Sequence, residues 1–234
     1  MSVRISSIRE KLQAGRVVGT FVKLPAVESV EIAARQLDFV VVDLEHSQLS
    51  EAEARRLVRH AYALGFPAVV RIPELDRGLV NRLLEAGAAG IQVSTVTRAA
   101  QVAGLKRELS YPPDGGRSIS LAHPVAGYGS TPLREYVKDL PVPLAVVQIE
   151  TMETEDPLDE ILAGRPDVVF VGVTDLLVDA ALDEDKARAR ADEVAAATAR
   201  AGAVLGGFGS DERYRYSVVS SDVALLKEAI ARVR

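Results

Sequence analysis

The 234-residue chain contains no cysteine and no tryptophan, and only three histidines. Without cysteine there is no disulfide, no thiol nucleophile and no thiolate-bound metal, and the absence fits a reducing compartment. Basic charge is not in excess either. Lys and Arg number 28 against 33 Asp and Glu, a net charge of -5, where a generic nucleic-acid binder would show a basic face. No apolar run approaches the roughly 20 residues that span a bilayer. Residues 1–15 carry Arg4, Arg9, Glu10 and Lys11 with no apolar stretch among them, which is not the pattern of a signal peptide. The expectation is a soluble, cytoplasmic protein with neither a nucleic-acid nor a membrane partner.

What is present is enough apolar material for a full core, 48% of residues, in a rhythmic order. Short runs rich in β-branched residues at 17–22, 38–43, 67–73, 91–94, 144–150, 168–173, 203–207 and 217–220 read as strands covered on both faces. Helical stretches fall between them at 27–36, 50–65, 77–86, 98–109, 158–163 and 185–202, with a short capped helix at 6–15 and a last helix at 223–233. The interval 111–132 is rich in Pro and Gly and reads as a long loop with room for short helical pieces. Strands alternating with helices specify a parallel sheet. Eight units within one domain's length point to a closed (β/α)8 TIM barrel occupying 1–234 as one domain.

The organising stretch is Phe39-Val40-Val41-Val42-Asp43-Leu44-Glu45-His46, a buried strand ending abruptly in two carboxylates and an imidazole. In a barrel the strand ends converge on one face. That convergence would gather Asp43, Glu45 and His46 with Arg71, Gln148, Glu150 and Asp175. Taken singly, Asp43 is also a plausible helix cap and His46 a loop residue. Glu150 and Asp175, at the ends of adjacent strands, form an oxygen donor set for Mg²⁺, Mn²⁺ or Co²⁺; the plainer alternative is that each caps its next helix. Arg71 offers a planar fork to a carboxylate or oxyanion. It can equally form a buried ion pair with Asp43 or Glu45, and the two roles are compatible. His46 is the candidate general base, oriented by a nearby carboxylate, whereas His60 belongs to a helix surface. Cation, arginine and histidine together suit enolate chemistry on a 2-oxo acid: the cation polarises the carbonyl, the arginine stabilises the enolate oxygen, and the histidine moves the proton. Gly206-Gly207-Phe208-Gly209-Ser210 reads as a phosphate cradle or, more plainly, as a glycine-lined turn.

Six motifs in order resemble the HpcH/HpaI aldolase family of metal-dependent class II pyruvate aldolases. They are Asp43-Leu44-Glu45-His46, Val70-Arg71-Ile72-Pro73, Leu83-Leu84-Glu85-Ala86-Gly87-Ala88, Tyr111-Pro112-Pro113-Asp114-Gly115-Gly116-Arg117, Gln148-Ile149-Glu150-Thr151 and Gly172-Val173-Thr174-Asp175-Leu176. The resemblance implies a phosphoenolpyruvate/pyruvate-binding type of barrel that cleaves or forms a 4-hydroxy-2-oxo acid, releasing pyruvate and an aldehyde. By the same resemblance Glu150 and Asp175 hold the divalent metal, Gln148 lies beside pyruvate, Arg71 holds the enolate and His46 is the acid-base residue. Glu85 then stands where the family carries the carboxylate partner of that histidine, with Asp43 as a second candidate. Thr174 and Ser94 fall among the substrate-binding positions, and Phe21 stands where a tryptophan is usual near the aldehyde pocket. The assembly implied is a homo-oligomer, a hexamer or trimer of dimers, with the C-terminal helix packed on a neighbouring subunit. Departures are Gly172-Val173 for the usual Gly-Pro, Ser94 for a proline, Arg117-Ser118 for Arg-Gly, and a short Leu176-Leu177-Val178-Asp179 segment without the glycine-rich loop. Oxaloacetate decarboxylation and citryl-CoA-lyase-like chemistry are alternatives at the same enolate site. A Schiff-base aldolase using Lys23, or a barrel that binds a metabolite without turnover, are the remaining ones.

Overall fold

A computed structural model describes residues 5–233, with side chains from Ile8 onward. The serines expected to cap the first helix fall before those side chains, and residues 1–4 and 234 of the expected domain lie outside the description. Eight parallel strands close in sequence order into one barrel. They are β1 Val17–Val22, β2 Phe39–Asp43, β3 Ala68–Ile72, β4 Gly90–Val93, β5 Leu144–Ile149, β6 Val168–Val171, β7 Val204–Phe208 and β8 Tyr216–Ser221. This is the expected (β/α)8 barrel.

Side chains alternate faces along a strand, and here both faces are dry. On β2, Val40 and Val42 pack outward under the helices, while Phe39 and Val41 enter the barrel interior. The interior also takes Val69, Val146, Val168, Phe170, Tyr216 and Val218, and it is closed at one end by Ile8 and Leu12 of α1 (Ile5–Ala14). Two faces of apolar burial explain why the strands read as unbroken hydrophobic runs. They also fix which strand-end residues can look into the barrel mouth: those in step with Phe39 and Val41.

The surrounding helices are α2 Val27–Gln36, α3 Glu51–Leu64, α4 Arg77–Ala86, α5 Ala99–Leu109, α6 Leu133–Asp139, α7 Leu158–Ala163, α8 Val173–Asp179, α9 Glu184–Ala201 and α10 Asp222–Ala231. The α3 start is a capping box. Ser50 Oγ accepts from the Glu53 N–H, Glu53 Oε2 accepts from the Ser50 N–H at 2.7 Å, and Gly65 at φ 70° ends the helix. Inside the Pro- and Gly-rich interval a short 3₁₀ segment, Pro124–Gly129, is a helical piece of the expected kind. Two helices depart from expectation: α6, which follows it, and α8, which begins where the sixth strand was expected to continue to residue 173. β-branched Val173 and Thr174 read as strand, but the Gly172 N–H gives the last bond to Ile149 and the chain then turns into a helix. Asp175 therefore sits in the first turn of α8, not on a strand end. The last helix, α10, buries none of its side chains in this chain and leaves Leu225, Leu226 and Ile230 exposed. Among the described residues no helix is long and apolar enough to cross a membrane.

At the centre of the interior the Tyr216 ring lies 4.4 Å from that of Phe39, and its fully buried hydroxyl has no partner among the described residues. Burial pushes that phenol well above its ordinary pKa. Tyr216→Phe removes an unsatisfied polar group and keeps the ring, so it is expected to raise the unfolding free energy by about 1 kcal/mol in a urea titration. Phe39→Ala is expected to lose about 3–5 kcal/mol in the same assay.

Candidate active site

Four strands deliver their inward positions to the barrel mouth: Phe21 from β1, Asp43 from β2, Arg71 from β3 and Gln148 from β5. Beyond the strand ends the same alternation brings in Ser94 and Glu150. Asp43 is wholly buried and accepts Arg71 Nε at 2.9 Å and Nη2 at 2.6 Å, a two-pronged pair. Its Oδ1 also takes the backbone N–H groups of Glu45 and His46, at 3.1 and 3.2 Å. The Arg71 guanidinium lies 4.5 Å from the Phe21 ring centre, and its Nη1 stands 3.1 Å from Glu45 Oε2. The ion pairs considered for Arg71, with Asp43 or with Glu45, are thus both present. Lys23 Nζ adds a second cation 3.2 Å from Asp43 Oδ2 and donates to the His46 carbonyl at 3.1 Å. Burial alone would raise the Asp43 pKa. The Arg71 hydrogen bonds and charge, the His46 N–H and the Lys23 charge outweigh it, so the carboxyl is held below its ordinary value.

Glu45 is half-buried and takes a 2.6 Å hydrogen bond from Ser94 Oγ. Its Oε2 is also 3.8 Å from His46 Nε2. His46 stands at the rim, with about half of its side chain in solvent. Glu85 lies elsewhere. It sits on α4, accepts Asn81 Nδ2 at 3.0 Å and acts electrostatically on His123 and Tyr136 beneath the long loop. Burial lowers the pKa of His123 there, with a 2.8 Å contact to the Ser120 carbonyl and the charge of Glu85 working the other way. Within the chain, the carboxylate beside His46 is Glu45.

On the other side of the mouth, buried Glu150 is held through both oxygens. Oε1 accepts the Thr95 N–H at 2.8 Å and Thr95 Oγ1 at 2.6 Å, while Gln148 Nε2 donates to Oε2. Gln92 Nε2 in turn donates to Gln148 Oε1 at 2.6 Å, which fixes the amide. Gly172 is required here: a Cβ on it would stand 2.5 Å from Glu150 Cβ and 2.7 Å from Oε2. Asp175 follows three residues later, exposed at the start of α8. Among the described residues no group of three or more His, Asp or Glu is clustered as a metal site. Two carboxylates do fit Mg²⁺ or Mn²⁺, which commonly take one or two and fill the remaining positions with water or substrate oxygens. Gly172 brings the backbone close to Oε2, and Gly172 and Asp175 both line the same cavity.

A cavity of about 420 Å³ opens in front of these groups. Phe21, Lys23, His46, Arg71, Gln148, Thr174 and Asp175 line it, with Phe170 and Phe208 completing an aromatic wall. Asp43, Ser94 and Glu150 are held in contact with lining residues or beside them, and Glu85 does not reach it. Sequence reasoning passed over Gln92, Thr95 and Phe170, and read Phe208 only as part of a glycine-lined stretch. Phe170 and Gln92 had a usable signal, since each falls in the inward step of its strand. Thr95 had none.

A family model described as HpcH/HpaI aldolase/citrate lyase matches residues 18–229. A 4-hydroxy-4-methyl-2-oxoglutarate aldolase of Hapsidospora irregularis is 33% identical over 177 residues, covering 72% of this chain and 66% of its own. A hydroxypyruvate/pyruvate aldolase of Rhizorhabdus wittichii is 31% identical over 178 residues, covering 75% and 70%. The chain thus spans about two thirds of the length of these relatives. Among solved structures, an HpcH/HpaI aldolase from Desulfitobacterium hafniense superposes with a TM-score of 0.87 at 30% identity, covering 96% of this chain and 94% of that one.

The Asp43–Arg71 pair makes a pH prediction. A carboxyl held below its unfolded pKa of about 3.9 stabilises the fold above that value and loses this contribution as pH falls through the folded pKa. Asp43→Asn is therefore expected to cost about 3 kcal/mol at neutral pH and to flatten the fall in stability on acidification. Urea midpoints between pH 7 and pH 3 test it; an acid slope equal to that of the unaltered protein would contradict the pairing.

Proposed function

The chain belongs to the HpcH/HpaI aldolase/citrate lyase family, and from that premise we propose that it is a divalent-metal-dependent lyase acting on a 4-hydroxy-2-oxo acid. Pyruvate and an aldehyde are the two fragments. The observation that carries this reading is the convergence of Arg71, Gln148, Asp175 and His46 on one cavity, with Glu150 fixed behind them. The relatives named above are themselves oxo-acid aldolases.

Glu150 and Asp175 are the residues that would hold the divalent cation, which would supply Lewis-acid polarisation of the 2-oxo group. The chain's own residues supply the rest. Arg71 is aimed before substrate arrives: Nε and Nη2 are committed to Asp43, Nη1 stands beside Glu45, and the guanidinium so held lines the cavity. Such a donor stabilises the negative charge that develops on the C2 oxygen, at no cost of reorientation during the reaction. Gln148 keeps its second amide hydrogen for the substrate, because one is given to Glu150 and its oxygen is taken by Gln92. In the cleavage direction His46, directly or through a water, removes the proton of the 4-hydroxyl. The C3–C4 bond then breaks, its electron pair moves into the C2–C3 bond and the carbonyl electrons go to the oxygen beside Arg71. Return of a proton to C3 completes pyruvate. Phe21, Phe170 and Phe208 exclude water from one wall while this charge exists.

Lys23 does not have the setting of a Schiff-base lysine. Its ammonium is engaged by Asp43 and the His46 carbonyl, an ion pair and not a free amine. The uncovered apolar residues of α10 support a homo-oligomer in which a second copy packs on that helix.

Solvent deuterium exchange into the pyruvate methyl group, followed by NMR, tests the reading without knowledge of the aldehyde. Exchange should stop with EDTA and return with Mg²⁺ or Mn²⁺, and Arg71→Ala should slow it by about 10²–10³-fold. Exchange indifferent to EDTA would remove the cation from the mechanism. Normal exchange in Arg71→Ala would remove the arginine from its role. Rapid decarboxylation of oxaloacetate, with no 4-hydroxy-2-oxo acid cleaved, would assign the same site to decarboxylation.

A further inference from the structure

The loop after β4 places two adjacent hydroxyls on two different carboxylates. Ser94 Oγ donates to Glu45 Oε2 at 2.6 Å. Thr95, the next residue, gives both its N–H and its Oγ1 to Glu150 Oε1. Thr95 holds φ 48°, a left-handed conformation that a β-branched residue rarely adopts. Such conformations persist only where the surroundings over-determine them, and they gather at functional sites. Here the surroundings do so. The Thr95 carbonyl accepts Gln101 Nε2 at 3.2 Å, and the Val96 N–H is bound to the Gln148 carbonyl at 2.9 Å. The strained turn is what lets a single residue aim two donors at one oxygen.

The consequence is a division of the Glu150 carboxylate. Oε1 is saturated by Thr95, whereas Oε2 receives only Gln148 among the described residues and lies against Gly172, three residues before Asp175. Likewise Glu45, without Ser94, would be held only by Arg71, and its position beside His46 would be free to drift. We propose that Ser94 and Thr95 are positioning residues. Thr95 fixes Glu150 so that Oε2 alone is presented to a divalent cation, and Ser94 fixes Glu45 against Arg71 and His46. Neither hydroxyl needs to touch the substrate. The role of Thr95 rests on the cation-dependent reading given above, since it concerns how the cation is held.

Mn²⁺ binding to the purified full chain, followed by electron paramagnetic resonance of the free ion, separates the two residues and needs no turnover. Thr95→Val keeps the branched shape and removes the hydroxyl, and it should raise the Mn²⁺ Kd about tenfold or more, as loss of a ligand's supporting hydrogen bond does elsewhere. Thr95→Ser restores the hydroxyl and should bind within about twofold of the unaltered protein. Ser94→Ala should leave the Mn²⁺ Kd within about twofold and slow pyruvate deuterium exchange several-fold at saturating Mn²⁺. Unaltered Mn²⁺ affinity in Thr95→Val overturns the role of Thr95, as does equal weakening in Thr95→Ser, which would assign the effect to packing. Normal exchange in Ser94→Ala overturns the role of Ser94. If the unaltered protein fails to bind Mn²⁺, the cation reading itself falls and the role of Thr95 with it, a result distinct from tight binding that Thr95→Val does not change.

Discussion

A guanidinium in the mouth of a barrel cannot stand without counter-charge, and much of this site's arrangement follows from how Arg71 is balanced. Asp43 takes two of its donors and Glu45 stands at a third nitrogen. Two carboxylates against one arginine leave a negative excess, and Lys23 is drawn to Asp43 to meet it. Each member therefore has its place set by the others. Breaking one leaves a buried charge unpaired, which is far costlier than the pair is stabilising. The same pairing holds the guanidinium in one orientation on the cavity wall, the preorganisation that the proposed oxyanion-binding role would require.

This balance is possible only because strand side chains alternate. Phe39, Val41 and Asp43 share one face of β2, so the strand that fills the interior with apolar side chains ends in the carboxylate that holds Arg71. The same step brings Phe21, Arg71, and the pair Gln148 and Glu150 to one mouth from three strands far apart in sequence. A shift of one residue in any of these strands would send its polar end beneath a helix. Register and active-site geometry are one constraint.

Most of the barrel was legible because strands covered on both faces leave unbroken β-branched runs, and helices leave caps such as Ser50 with Glu53. The convergence of Asp43, Arg71, Gln148 and Glu150 followed from the fold alone. Three features were not legible, each for a physical reason. The α8 start looks like strand because Val173 and Thr174 favour extended backbone, while the turn is imposed by Gly172 passing close to Glu150, a contact far away in sequence. Thr95 in a left-handed conformation contradicts its own propensity, and only the donors it directs at Glu150 explain it. Glu85 is apolar-helix punctuation in the sequence, and the structure sets it beside Asn81 and His123 with Glu45 left nearest to His46.

The two ends of the cavity differ in what they can discriminate. At the end lined by Arg71 and Gln148 these groups are pinned by partners of their own, so a ligand there has to match the donors they have left. Sites of that kind reject by factors of about 10⁴ or more. The other end is Phe21 stacked 6.3 Å from Phe208, with Phe170 edge-on at 6.5 Å and the short α8 beside them. An apolar wall distinguishes a methylene by only about 1–3 kcal/mol. On the proposed reading, selectivity would rest on the polar end of the cavity, and the other end is bounded by three phenylalanines and one helix.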